Sequence, residues 1–197
     1  MRLLSTFVGA NSSDVIRAIF LLHFPKAKRV VDMTYGCGRF WHWAHRFEVV
    51  GVDIKGTAAI LANSTYLPFR DRSFDVAVID PPFRHAVGYN STLGLNRDYA
   101  GVRSQRNALE LYAGMIIEAE RVAGGVIVKL KDTVERSRFI HNTARVAGLL
   151  AENGFEVVDK AILVPTVVLP NDPKWIRRYH FRHQESYFLV GKKQGSM

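Results

Sequence analysis

Short runs of β-branched and aliphatic residues, fenced by charge or glycine and separated by helical periodicity, constrain this chain most. Arg29-Val-Val-Asp-Met33, Glu48-Val-Val-Gly-Val-Asp53, Ala59 to Ala62, Phe74-Asp-Val-Ala-Val-Ile79 and Gly125-Val-Ile-Val-Lys-Leu130 read as strands. Runs apolar on both faces belong to parallel sheets covered by helices. Between them, Ser12-Ser13-Asp14 can cap a helix to about His23, stopped by Pro25. Arg106 to Val122 carries Leu109, Tyr112, Ala113, Ile116 and Ile117 at helical spacing, and Glu135 to Asn153 repeats the form before Gly154. The alternation predicts a doubly wound α/β sheet. The tail changes character: Phe155 to Leu169 and Glu185 to Lys193 read as two long strands, an antiparallel pair closing the sheet.

At 197 residues the chain reads as a single domain, 1–197, long enough to bury a core without staples. Cys37 is the one cysteine, which rules out an intrachain disulfide and a cysteine-built zinc site and fits a reducing, cytoplasmic setting. The apolar stretch Val15 to Phe24 is broken by Arg17 and His23 and is too short to span a bilayer, so no membrane is expected. Lysine and arginine number 27 against 18 acidic residues, a formal charge of +9 that favours a polyanionic partner. The plainer alternative is a basic, inert surface. His42 and His45 have no carboxylate at ligand spacing, and no metal site is expected.

Two motifs carry chemistry. In Asp32-Met33-Thr34-Tyr35-Gly36-Cys37-Gly38, an acid ends the first strand and two glycines follow in the turn. Glycines there let a backbone approach a ligand, although a tight strand-helix turn needs them too. Asp53 ends the second strand, where a carboxylate suits two ribose hydroxyls. The loop lacks the third glycine of the dinucleotide fingerprint and a phosphate-binding lysine, which argues against NAD and ATP. A cofactor with adenosine but no pyrophosphate fits better. Downstream, Asp80-Pro81-Pro82-Phe83 puts a carboxylate, proline-locked carbonyls and a ring at the end of the fourth strand. An aromatic amine is a poor nucleophile, and two acceptors for its hydrogens stabilise positive charge developing on nitrogen. The ordinary alternative is a strand-ending turn.

As a set, these motifs with Gly51-Val52-Asp53-Ile54 and Leu67-Pro68-Phe69-Arg70-Asp71-Arg72-Ser73-Phe74-Asp75 resemble class I S-adenosylmethionine-dependent methyltransferases, over about Ser5 to Lys193. The Asp-Pro-Pro-Phe motif resembles the amino methyltransferases of adenine N6 or cytosine N4 in DNA. The resemblance implies a Rossmann-like, mostly parallel seven-stranded sheet with an antiparallel C-terminal strand and helices on both faces. It implies S-adenosylmethionine as cofactor and nucleic acid as partner, DNA favoured over RNA. Asp32, Thr34, Gly36 and Gly38 would hold the amino acid end of the cofactor, and Asp53 and Ile54 the ribose side. Asn63, with Ser64, stands where the family often has an aspartate for the adenine amino group. Phe7, Gly9 and Asn11 stand at the N-terminal motif that touches the methionine end, where a plain helix entry capped by Asn or Ser reads equally well. Asp80 and the Pro81 carbonyl, with Pro82, would clasp the amine, and Phe83 would stack on the target base, which must leave a duplex to reach the pocket.

Residues 84–104 and 170–182 mix basic and aromatic side chains and are the candidate substrate-recognition segments. Three other functions compete: methylation of guanine N2 or adenine N6 in RNA, methylation of a glutamine side chain in protein, and a binding module that kept the fold without the chemistry.

Overall fold

The computed structural model describes residues 5–81, 105–135, 137–166 and 184–193. In chain order the elements are β1 (Thr6–Val8), α1 (Ser12–His23), β2 (Arg29–Asp32), β3 (Glu48–Asp53), β4 (Ile60–Leu61), β5 (Phe74–Ile79), α2 (Gln105–Val122), β6 (Ala123–Leu130), β7 (Thr133–Glu135), β8 (Arg138–Ile140), α3 (Asn142–Glu152), β9 (Phe155–Val164) and β10 (Ser186–Lys193). Among the described residues eight strands form the main sheet, in the order β1-β9-β10-β6-β5-β2-β3-β4. β10 runs antiparallel to both β6 and β9, and the other pairings are parallel. The strand order reverses between β2 and β5, so loops leaving their carboxyl ends diverge and leave a crevice.

The period-two rule sorts the core. Val31, Ala77, Val126 and Val128 pack with Met115, Ile116, Val146 and Leu150 of α2 and α3. Val30, Val76, Val78 and Ile127 pack on the other face with Ile16, Ile19 and Phe20 of α1 and with Trp41 and Phe47. The expected mostly parallel sheet with helices on both faces is therefore present.

Four details differ from the sequence-based expectation. The sheet has eight strands rather than seven: Ile162 N–H donates to Ser5 O and Gly9 N–H to Val164 O, which recruits Thr6–Val8 as an edge strand. The cap of α1 is Asn11, the Asn of the helix entry left open in the sequence, rather than Ser12 to Asp14. Asn11 Oδ1 accepts Asp14 N–H at 3.0 Å while Asp14 accepts Asn11 N–H at 3.3 Å, a reciprocal capping box. The helix expected from Glu135 begins only at Asn142; before it, Thr133–Glu135 and Arg138–Ile140 pair antiparallel. Ser137, at φ 59°, lies between these strands, and Asp132 takes the Thr143 N–H and hydroxyl at 2.8 and 2.9 Å, fixing where α3 starts. β9 ends at Val164, and residues 167–169 of the longer strand expected there lie outside the described residues.

Between β2 and β3 the described chain forms no helix. Gly38 N–H donates to Tyr35 O, Trp41 to Gly38, Ala44 to Trp41 and Phe47 to Ala44, a staircase of tight turns. It covers the α1 face of the sheet with Phe40, Trp41, Trp43 and Phe47, and Ser13 Oγ of α1 donates to Phe40 O at 3.0 Å.

Candidate active site

The two sequence motifs meet at the carboxyl end of the sheet, on either side of the strand-order reversal. β2 and β5 are adjacent, with Asp32 in register with Val78. Asp80 follows β5 directly, and its N–H donates to Thr34 Oγ1 at 2.7 Å. The glycine turn and the acid-proline corner are thus hydrogen-bonded to each other.

Asp32 is buried, and its carboxylate is engaged within its own loop. Oδ1 accepts Thr34 N–H at 3.0 Å, and Oδ2 accepts Trp41 Nε1–H at 2.6 Å. Burial pushes its pKa up to about 7 against those two hydrogen bonds, with the charges of Asp80 and Asp53 adding to the rise. Asp32 therefore ties the turn staircase to the strand.

The glycines serve different ends. Gly38, at φ 69°, has no room for a Cβ, which would lie 2.5 Å from Tyr35 Oη; a Cβ on Gly51 of β3 would lie 2.4 Å from the same ring. Tyr35 is laid across both. Gly36, at φ 57°, faces open space. Its N–H donates to Asp53 Oδ2 at 2.9 Å, and Asp53 Oδ1 accepts Ile54 N–H at 2.8 Å. Gly36, Asp53 and the exposed Ile54 form one open surface beside Thr34.

Asn63 and Ser64 are placed differently from one another. Asn63 is exposed, and its Oδ1 accepts both the N–H and the hydroxyl of Thr65, at 3.0 and 2.9 Å. Ser64 is buried, and its hydroxyl donates to Met33 O, joining this loop to the glycine turn. Phe7 lies in β1 and packs in the α1-face core; Gly9 and Asn11 join β1 to α1.

Asp80 is nearly buried and Pro81 is buried. Lys129 of β6, which the motif reading did not single out, places Nζ 2.8 Å from Asp80 Oδ2. Burial raises the Asp80 pKa, and the ammonium groups of Lys129 and Lys131 oppose the rise. Tyr112 of α2 donates its hydroxyl to Lys129 O at 3.2 Å. Burial, and then the Asp80 charge, hold that phenol well above its usual range. A lysine on the otherwise apolar inner face of β6, two residues after Ile127, was the available sequence signal. Pro82, Phe83 and both candidate recognition segments, 84–104 and 170–182, lie outside the described residues.

The buried charges here are unbalanced. Among the described residues, Asp32 and Asp80 have Lys129 as their close ammonium, with Lys131 acting on Asp80 from farther away. Buried carboxylates without matched cations are costly, and a bound cation relieves that cost. Among the described residues no three His, Cys, Asp or Glu side chains gather as for a metal, and no helix is long and apolar enough to cross a membrane.

No protein-family model and no curated protein sequence matches the chain. Solved structures match it by shape. A structure of the E. cuniculi Mtq2-Trm112 complex, responsible for methylation of the eRF1 translation termination factor, aligns with TM-score 0.56 and 15% identity over 97% of this chain and 100% of that one. PH1948 of Pyrococcus horikoshii, named as a candidate RNA methyltransferase, aligns with TM-score 0.55 and 13% identity over 91% and 81%. PH0226 of the same organism aligns with TM-score 0.54 and 14% identity over 92% and 89%. At these identities the likeness concerns the fold: this chain has the Rossmann-like fold on which such methyltransferases are built.

Proposed function

We propose that this chain is an S-adenosylmethionine-dependent methyltransferase acting on an exocyclic amino group of a nucleic-acid base, adenine N6 in DNA first. The observation that carries the reading is the Asp80 N–H to Thr34 Oγ1 bond, which joins the donor-side turn to the acceptor-side acid at one sheet end.

The residues suit a sulfonium cofactor. Gly36 offers open backbone and Asp53 a partly exposed carboxylate beside it. When bound, the cofactor supplies an electrophilic methyl group. Thr34, Gly36, Asp53 and Ile54 would hold it, with Gly38 and Asp32 shaping the turn behind them. Asn63 would present its amide group to the adenine side, its oxygen being shared with Thr65, and Ser64 would brace that loop. Asp80 and the carbonyl of Pro81 would accept the two amine hydrogens, and Phe83, with Pro82 before it, would stack on the base. Held by these acceptors, the amine would direct its lone pair at the methyl group that the bound cofactor would supply, its thioether being the leaving group. The nitrogen's excess proton leaves through Asp80 to water. Oxygens placed before the charge develops stabilise it without reorganisation.

The net charge of +9 supports a polyanionic substrate. The acid-first diproline motif supports a base amine over a protein glutamine. PH1948, named as a candidate RNA methyltransferase, favours RNA as the substrate of the second reading.

The test is incubation with methyl-labelled cofactor and separate pools of duplex DNA, single-stranded DNA, RNA and protein, followed by nucleoside mass spectrometry. Label in DNA adenine is the expected result; label confined to RNA selects the second reading; label in no pool overturns the proposal and favours a binding module. Asp80→Ala should lower transfer about a thousandfold, the scale of one lost preorganised partner. Calorimetry should find cofactor affinity within about threefold, because that contact belongs to the acceptor side. Full turnover in the variant would remove Asp80 from the chemistry.

A further inference from the structure

Lys129 has no place in either sequence motif, yet register brings it to the centre of the site. Ile79 of β5 pairs with Val128 of β6, so the next residues, Asp80 and Lys129, stand side by side just past the paired ladder. Both are on the α1 face, which below them is Val76, Val78 and Ile127. The side chains are 17% and 14% exposed and 2.8 Å apart. Behind the ammonium, the Phe40 ring centroid lies 5.3 Å from Nζ. The lysine is thus held between an aromatic face and one carboxylate oxygen.

We infer that Lys129 is a positioning residue for amine methylation: by binding Oδ2 it fixes the Asp80 carboxylate in its ionised form and directs Oδ1 to the substrate amine. The inference rests on the function proposed above. Stability does not account for the pair, since a buried ion pair about breaks even against apolar residues of the same volume. An apolar pair would continue the rows below it. What the pair adds is control of protonation. An ionised carboxylate only accepts, whereas a protonated one presents a donor to an amine that also donates. Burial alone favours the protonated form, and Lys129 opposes it. Among the described residues the other groups acting on Asp80 are Lys131 beyond β6, Tyr112 from α2, Asp32 from β2 and the Thr34 hydroxyl from the turn. Among these, Lys129 donates to the Asp80 carboxylate.

The experiment combines a carbon-13 NMR titration of the Asp80 carboxyl with the pH profile of methyl transfer, in wild type, Lys129→Met and Lys129→Arg. In Lys129→Met the Asp80 midpoint should rise by about one unit or more, and the acid limb of kcat/KM should move up with it. Turnover at neutral pH should fall on the order of tenfold, with the cofactor KM within about threefold. Lys129→Arg should return both curves toward wild type. In an Asp80→Asn background, Lys129→Met should add nothing further to the rate, because no charge remains to hold. A rate that falls equally at every pH, or an Asp80 titration that does not move, overturns the role and leaves a structural contact. If wild type methylates no pool, the parent reading fails and the catalytic role with it. The NMR titration still reports separately whether Lys129 sets the Asp80 charge.

Discussion

The two ends of the sheet use the same acidic residue types in opposite ways. At the amino end, carboxylates are matched to fixed donors. Asp75 accepts the N–H groups of Lys28 and Arg29 at 2.7 and 2.8 Å and holds the start of β2. Glu118 accepts Leu67 N–H at 2.6 Å and two Arg121 nitrogens at 3.0 and 2.7 Å. Arg121 also donates to Phe69 O, Leu67 O and Asp71, so the loop into β5 is closed by one guanidinium. Those bonds hold the Glu118 pKa below its ordinary value. At the carboxyl end, Asp32 and Asp80 are pushed up, by burial first. At the amino end the donors outweigh burial at Glu118; at the carboxyl end Asp32 and Asp80 keep partners too, but burial outweighs them. Carboxylates raised by burial at a crevice mark it as a candidate functional site.

The largest effect that would sharpen this contrast is the pH dependence of stability. Asp32 has a folded pKa of about 7 against an ordinary 3.8. The folded state therefore binds more protons across that window, and the contribution of Asp32 is full below its unfolded pKa and lost as pH rises toward 7. Three units correspond to a loss on the order of 4 kcal/mol. Asp80 contributes with the same sign, and Glu118 with the opposite one: its stabilisation is present above the ordinary glutamate pKa and disappears as pH falls through its lowered value. Denaturant unfolding at mildly acidic and mildly alkaline pH should show Asp32→Asn with a flatter dependence than wild type between these limits. An unchanged slope would mean that Asp32 is solvated and that the two ends are not different in kind.

A smaller change is expected at the other end. Glu118→Ala strips Arg121 of its buried partner and leaves Leu67 N–H without its acceptor, at a cost of about 3 kcal/mol. The urea midpoint should fall while cofactor affinity stays within about twofold, since nothing at the carboxyl end has moved. A matching loss of affinity would break the division of labour.

What was legible in the sequence follows the same division. Strands β2, β3, β5 and β6 were readable because residues such as Val30, Val31, Val76, Val78 and Ile127 must be apolar on both faces. The place of Asp80 at the end of β5 was legible because prolines after an apolar run end a strand. The staircase from Met33 to Phe47 was not, because its order comes from tertiary contacts: Trp41 to Asp32, and the aromatic packing of Trp41 and Phe47 on Phe20. Nothing in residue spacing relates an indole to a carboxylate nine positions earlier in a non-helical run. The hairpin before α3 was hidden for a related reason, since helical periodicity in residues 142–152 extends backwards by chance into Glu135 to His141. Lys129 reads locally as the charged end of a strand, and only the β5–β6 register gives it Asp80 as neighbour.

Glycine at position 36 gives the smallest and most discriminating effect. Its φ of 57° disfavours any side chain, so Gly36→Ala carries a strain of roughly 1 kcal/mol. The added Cβ meets no atom within 4 Å, so packing adds nothing to that figure. Gly38 is the control, because a Cβ there would lie 2.5 Å from Tyr35 Oη and the turn would have to shift. If the open space above Gly36 receives the cofactor, Gly36→Ala should weaken cofactor binding about tenfold or more, well beyond its modest effect on stability. Gly38→Ala should lose both together. Calorimetry beside thermal unfolding separates the two patterns. Unchanged affinity in Gly36→Ala would move the donor away from this turn while leaving the fold, the amino-end clamps and the Asp80–Lys129 pair as they are.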